Sequence, residues 1–246
     1  KQKPLFHAFL NEAFTYPDTR TFKAHATLIV GYRYWVNLHA TGNSTVFRRS
    51  LYKVNTPRGA VSVQHWAADT DWKNVHLIRM RPNTPPEFGH TVEGNDALLL
   101  DDVQPGDEVE VLQIRHQLAD AYLGPGSNFE RLACSDRVYP VGSCTIHIHQ
   151  DASAEFPLRL NPQALTCERS ESGHLCTGGP YKPAPKEAEP GSPWSLIAHL
   201  EVAHDVPADL ALKRSRTLVK SALLSARPLK YYGAYKSLEE LHRLVR

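Results

Sequence analysis

The sequence predicts an α+β protein, mostly antiparallel β-sheet with two C-terminal helices. Three observations predict it. Runs of β-branched and aromatic residues, separated by turn residues, recur through residues 1–169. A proline- and glycine-rich stretch at 170–193 then interrupts the pattern. Residues 207–246 change to helical apolar spacing with helix start signals. The expected organisation is a β-rich body at 1–169, a loop at 170–193, and a strand plus basic helical segment at 194–246 packed on the body.

The elements follow in order. Leu5, Phe6, Phe9, Leu10 and Ala13 fall on one helix face over 5–14, and Pro17-Asp18 ends it. Residues 22–38 read as one long or two short strands, with Gly31 at a bulge. Thr41-Gly42-Asn43 turns the chain into a strand at 45–54, and 55–59 is a turn. Strands are expected at 60–66 and 74–81, and a surface loop at 82–95. A short run at 98–100 precedes the turn Gln104-Pro105-Gly106-Asp107. In 108–116, Val109 and Val111 alternate with Glu108 and Glu110, as in a half-buried strand. Residues 138–150 read as two short strands broken near Pro140 and Gly142, and 194–202 as another strand.

Pro207 suits the first position of a helix over 207–225, with Leu210, Leu218, Val219 and Leu223 on one face. Arg227-Pro228 stops it. Ser237 and Glu240 form a capping box for a second helix at 237–245.

Bulk composition excludes several classes. Hydrophobic residues make up 41% and charged residues 22%, which argues against wholesale disorder. No apolar run approaches the ~20 residues of a membrane-spanning helix. With Lys1 first and Met80 the single methionine, the sequence reads as a mature or trimmed form.

Net charge is +2, from 28 basic and 26 acidic residues, but it is unevenly spread. Residues 207–246 hold nine basic and three acidic residues, a local charge of +6 that leaves −4 elsewhere. Lys213, Arg214, Arg216, Lys220, Arg227 and Lys230 lead this excess. Tyr231, Tyr235 and Lys236 follow among them. Cations neutralise phosphates and aromatic rings stack on bases, so these nine residues are the expected contacts for RNA or DNA.

The string Cys144-Thr145-Ile146-His147-Ile148-His149 places both imidazoles on one face of a strand and both isoleucines on the other. Two imidazoles so placed can hold a divalent metal ion if a third ligand converges. This His-hydrophobic-His string resembles the metal-binding motif of the HUH endonucleases. The resemblance covers about three residues. It implies a metal on His147 and His149 that polarises a scissile phosphate, with a later tyrosine, Tyr232 or a neighbour, as nucleophile.

Cys134, Cys144, Cys167 and Cys176 leave three readings open: two disulfides, free thiols, or a zinc site shared with histidines. Their spacing is not that of a zinc knuckle. Asn43-Ser44-Thr45 is a glycosylation sequon. Residues 124–127 lack the Gly-Lys-Ser/Thr ending of a phosphate loop, and no Gly-x-Ser-x-Gly elbow is present.

The leading expectation is therefore a nucleic-acid-interacting protein with metal-assisted phosphodiester chemistry at the histidine strand. The alternative is a non-catalytic secreted or surface protein-interaction module held by Cys134–Cys144 and Cys167–Cys176. A zinc-stabilised component of a larger assembly is the third reading. The compartment stays open, with the cytoplasm preferred over secretion.

Overall fold

The structure is a computed structural model that describes residues 2–17, 22, 24–67, 71–92, 97–118, 129–154, 157–170, 173–183, 197–204, 207, 209–210, 212–213 and 216–217. Helix α1 (Gln2–Asn11) comes first, followed by the long strands β1 (Thr27–Leu38) and β2 (Ser44–Val54). Helix α2 (Pro57–Val63) leads into β3 (His65–Trp66), β4 (Lys73–Met80), β5 (Glu87–Phe88), β6 (His90–Thr91) and β7 (Leu98–Leu99). Then come β8 (Glu108–Gln117), β9 (Phe129–Ala133), β10 (Val141–Gln150), β11 (Leu158–Gln163), β12 (Thr166–Ser170), β13 (Gly173–Gly178) and β14 (His199–His204).

Eight strands form one sheet in the order β12-β13-β10-β1-β2-β8-β4-β5. β1 lies within it and is buried along almost its whole length. A strand covered on both faces reads as a near-continuous apolar and aromatic run, which is the character of 27–38. It pairs antiparallel with β2 and parallel with β10. The register with β2 shifts between Ile29 and Gly31, a bulge at the expected glycine.

Side-chain alternation gives this sheet two different faces. Ile29, Tyr32, Tyr34, Val36 and Leu38 join Cys144, Ile146 and Ile148 in the main core. A three-stranded sheet, β11-β14-β9, adds Leu132, Leu200 and Val202 to that core. The two sheets are tied by the Tyr34 hydroxyl, which donates to the Ala133 carbonyl at 2.6 Å, and by a Cys134–Cys144 disulfide. The second disulfide, Cys167–Cys176, joins the adjacent strands β12 and β13. The opposite face of the large sheet carries Arg33, Trp35, Phe47, Arg49 and His147, and α1 lies over it.

The α+β expectation with two C-terminal helices is corrected: the protein is mostly β, and among the described residues the two complete helices, α1 and α2, both lie within the first 63 residues. The backbone is helical at 209–210, 212–213 and 216–217, where Leu212 is 58% exposed and Leu210, on the expected apolar face, is half-buried; Leu218, Val219 and Leu223 lie outside the described residues. The expected helix at 237–245 lies outside the described residues. The expected strand at 60–66 is mostly α2. Its start is set by Thr56, whose side chain accepts from the Gly59 N–H at 3.2 Å, and by Pro57 in the first turn. β10 runs unbroken through Gly142, where a Cβ would stand 2.6 Å from the Val30 carbonyl oxygen. Glycine permits the close approach to β1 rather than ending the strand. Among the described residues, no helix is long and apolar enough to cross a membrane.

Candidate functional site

The sheet face bearing His147 and His149 is covered by α1. Phe6 and Phe9 pack on Trp35, at ring-centroid distances of 5.6 and 5.7 Å. His149 stacks on the same indole at 3.9 Å and is 5% exposed. His147 donates from Nε2 to the Glu12 carboxylate at 3.3 Å. His147 therefore takes part in seating the N-terminal helix, and His149 backs the Trp35 ring on which the helix packs.

Two buried arginines complete this seat. The last carbonyls of a helix lack intrahelical donors. Arg49 supplies them, donating to the carbonyls of Phe9 at 2.7 Å and Glu12 at 3.1 Å. Arg33 donates to the Ala13 carbonyl and ion-pairs with Glu12. Glu110 balances Arg49 at 2.7 Å. The hydrogen bond from His147, ahead of the Arg33 charge, holds the Glu12 carboxyl below the usual carboxylate range against the opposing effect of burial.

Beside α1 a groove of about 480 Å³ opens between the helix and the sheet, lined by Phe6, Leu10, Trp35 and Phe47 with Asn37 and Thr45 at its polar end. From Thr45 a chain of polar groups leads away. Its hydroxyl lies 3.3 Å from His39 Nε2 and 3.1 Å from His116 Nδ1. Asp151 sits 3.7 Å from His39 Nδ1 and accepts from the Ala40 N–H at 3.2 Å. This chain ties the β1–β2 turn to β8 and to the end of β10. Sequence reading missed it, because residues 39, 45, 116 and 151 meet only through strand pairing.

The metal-binding expectation is corrected. Among the described residues, no three His, Cys, Asp or Glu side chains converge as a metal site. The strand puts both imidazoles on one face as alternation requires, but an aromatic stack and a carboxylate hydrogen bond occupy them. The zinc reading fails with it, since all four cysteines are in disulfides. Of the expected nucleic-acid contacts, Lys213 and Arg216 are exposed at helical positions. Arg214, Lys220, Arg227, Lys230, Tyr231, Tyr235 and Lys236 lie outside the described residues, as does the proposed nucleophile Tyr232.

No protein-family model matches this chain, and no curated protein matches it. Solved structures do resemble it. A protein from Parabacteroides distasonis ATCC 8503, inferred to be a protease, superimposes with a TM-score of 0.59 at 11% identity. The likeness covers 82% of this chain and 44% of that one, so the chain spans less than half the length of its structural relative. Yeast LTA4 hydrolase in complex with bestatin gives a TM-score of 0.37 at 7% identity, covering 80% of this chain and 31% of that one. Legionella pneumophila aminopeptidase A in complex with aspartic acid gives 0.35 at 10% identity, covering 76% and 22%. Those two scores are too low to carry weight. The first establishes a shared fold. Metal-assisted endonuclease chemistry is corrected: among the described residues the paired histidines have no completing ligand set. The shared fold lends RNA or DNA binding no support, and most of the residues expected to make it lie outside the described residues.

Proposed function

We propose that the chain is a non-catalytic, disulfide-bonded β module of a secreted protein with peptidase-like architecture, and that it acts by contacting polypeptide. The fold likeness to the Parabacteroides protein carries this reading. It takes in most of this chain but 44% of the larger one, as expected if the module is one part of a multi-part enzyme. Two disulfides using all four cysteines favour an oxidising compartment. The hydrogen bond of His147 to Glu12 and the stacking of His149 on Trp35 give both imidazoles a structural use, which supports a binding role over a cutting one.

The test immobilises the chain and passes fluorescent, reduced and alkylated casein over it. The reading expects saturable retention of the casein and no release of fluorescent peptides. Absence of retention overturns it. So does peptide release that scales with the amount of chain and co-purifies with it.

A further inference from the structure

We propose that the cavity where β2, β8 and β9 meet binds a carboxylate, with Arg48 supplying the charge and Trp72 a flat apolar wall. The cavity has a volume of about 400 Å³, and Arg48, Trp72, Arg115, Glu130 and Arg131 line it with Tyr34. It lies on the opposite face of the large sheet from α1, and the proposal stands whether or not the module belongs to a peptidase.

The argument is one of charge matching. Arg48 faces Tyr34 across β1 and Gln113 across β8. Its guanidinium donates to the Gln113 side-chain oxygen, from Nε at 3.1 Å, and lies 4.3 Å from the centre of the Trp72 ring. Arg115 lies 4.6 Å from the same ring centre. Two cations therefore share one indole. Arg115 is answered by the buried carboxylate of Glu130, and Arg131 by Glu201 at 2.5 Å. Arg48 is answered only by neutral groups: among the described residues, no carboxylate lies within ion-pair distance of it. Asp71 also lines the cavity but stands beyond that distance.

Among the described residues, this half-buried guanidinium with a neutral partner beside a second cation has no anion to offset its desolvation. An entering carboxylate supplies one, and the planar guanidinium suits its two oxygens. The Trp72 ring then favours a ligand carrying an aromatic or aliphatic group beside the carboxylate. Two sources share this chemistry: a small organic acid, and the carboxyl terminus of a polypeptide.

The experiment is calorimetric titration of the full chain with N-acetyl-phenylalanine, its carboxamide, and a hexapeptide ending in phenylalanine as free acid or as amide. The proposal expects the small acid to bind and its amide to bind at least about tenfold more weakly. Equal binding of the peptide acid assigns the site to polypeptide termini; failure of the peptide acid alone assigns it to small acids. Arg48→Gln should reduce acid affinity about tenfold or more, and Arg48→Lys should lose less, since it keeps charge without the fork. The acid–amide comparison on the unaltered chain decides the matter even if a variant fails to fold. Equal affinity for acid and amide overturns the proposal. So does no binding up to ~10 mM, or unchanged acid affinity in a folded Arg48→Gln protein.

Discussion

Glu12 accepts a hydrogen bond from His147 at 3.3 Å while the same carboxylate pairs with Arg33, so the end of α1 is latched to the large sheet. The Glu12 carboxyl titrates below its ordinary range. A depressed folded-state value means that its stabilising contribution is complete above the unfolded value and is lost as pH falls through the folded one. Acidification should therefore loosen α1. Hydrogen exchange of the amides in residues 2–11 should accelerate on that acid limb. In Glu12→Gln it should already be fast at neutral pH and lack the limb.

Ser44 and Glu130 form a second relationship of this kind, at the junction of the two sheets. The Ser44 hydroxyl donates to the Glu130 carboxylate, which is also paired with Arg115. Burial pushes the Glu130 carboxyl above its usual range despite both partners. Ser44→Ala removes a donor that favours the anion, so the Glu130 value should climb further. The change should cost about 1–2 kcal/mol at neutral pH in urea unfolding. With Glu130 raised, stability falls as pH rises from the unfolded value through the folded one. The variant should show that slope extended to higher pH.

Thr56 caps α2, the helix that stands where strand alternation was expected. Thr56→Ala leaves the Gly59 N–H without its acceptor. It should destabilise the protein by about 1 kcal/mol, and Thr56→Ser should restore most of the loss. Thermal unfolding followed by circular dichroism reads both.

The two disulfides should differ in accessibility. Cys134 and Cys144 are both in the core, at 0% and 1% exposure, and link two sheets. Cys167 is only partly buried, on β12 at the border of the large sheet. Mild reductant with an alkylating agent should label Cys167 and Cys176 first. Replacing both Cys134 and Cys144 with serine should cost about 3 kcal/mol or more, since loop constraint and core packing are lost together.

Local pattern made several elements readable. The alternation of Val109 and Val111 with glutamates marks β8, and the β-branched run at 45–54 marks β2 to within a residue. Gly31 was readable as a bulge because a glycine inside a strand signals close approach. Gly142 carries the same signal, yet reading it as a break divided β10. The cap at Thr56-Pro57 was present but overridden by the apolar residues that follow it. Other features have no local signature. His147 and His149 share a face as alternation dictates, but nothing near them says that α1, more than 130 residues earlier, covers that face. Arg48, Trp72 and Arg115 come together only through strand order. The C-terminal helices rest on apolar spacing and helix start signals such as Pro207 and the Ser237–Glu240 pair, and neither signal tells a face that packs from one that stays in solvent.

The parallel pairing of β1 with β10 has a consequence for biogenesis. Ile29 pairs with Val141, so one flank of β1 stays open until most of the chain has been synthesised. A ladder that closes across so long a separation forms slowly. In the interval β1 and β2 offer an apolar hairpin to any neighbouring nascent chain, which is a route to aggregation. The yield of folded protein should therefore depend on translation speed and on chaperones that shield unpaired strands.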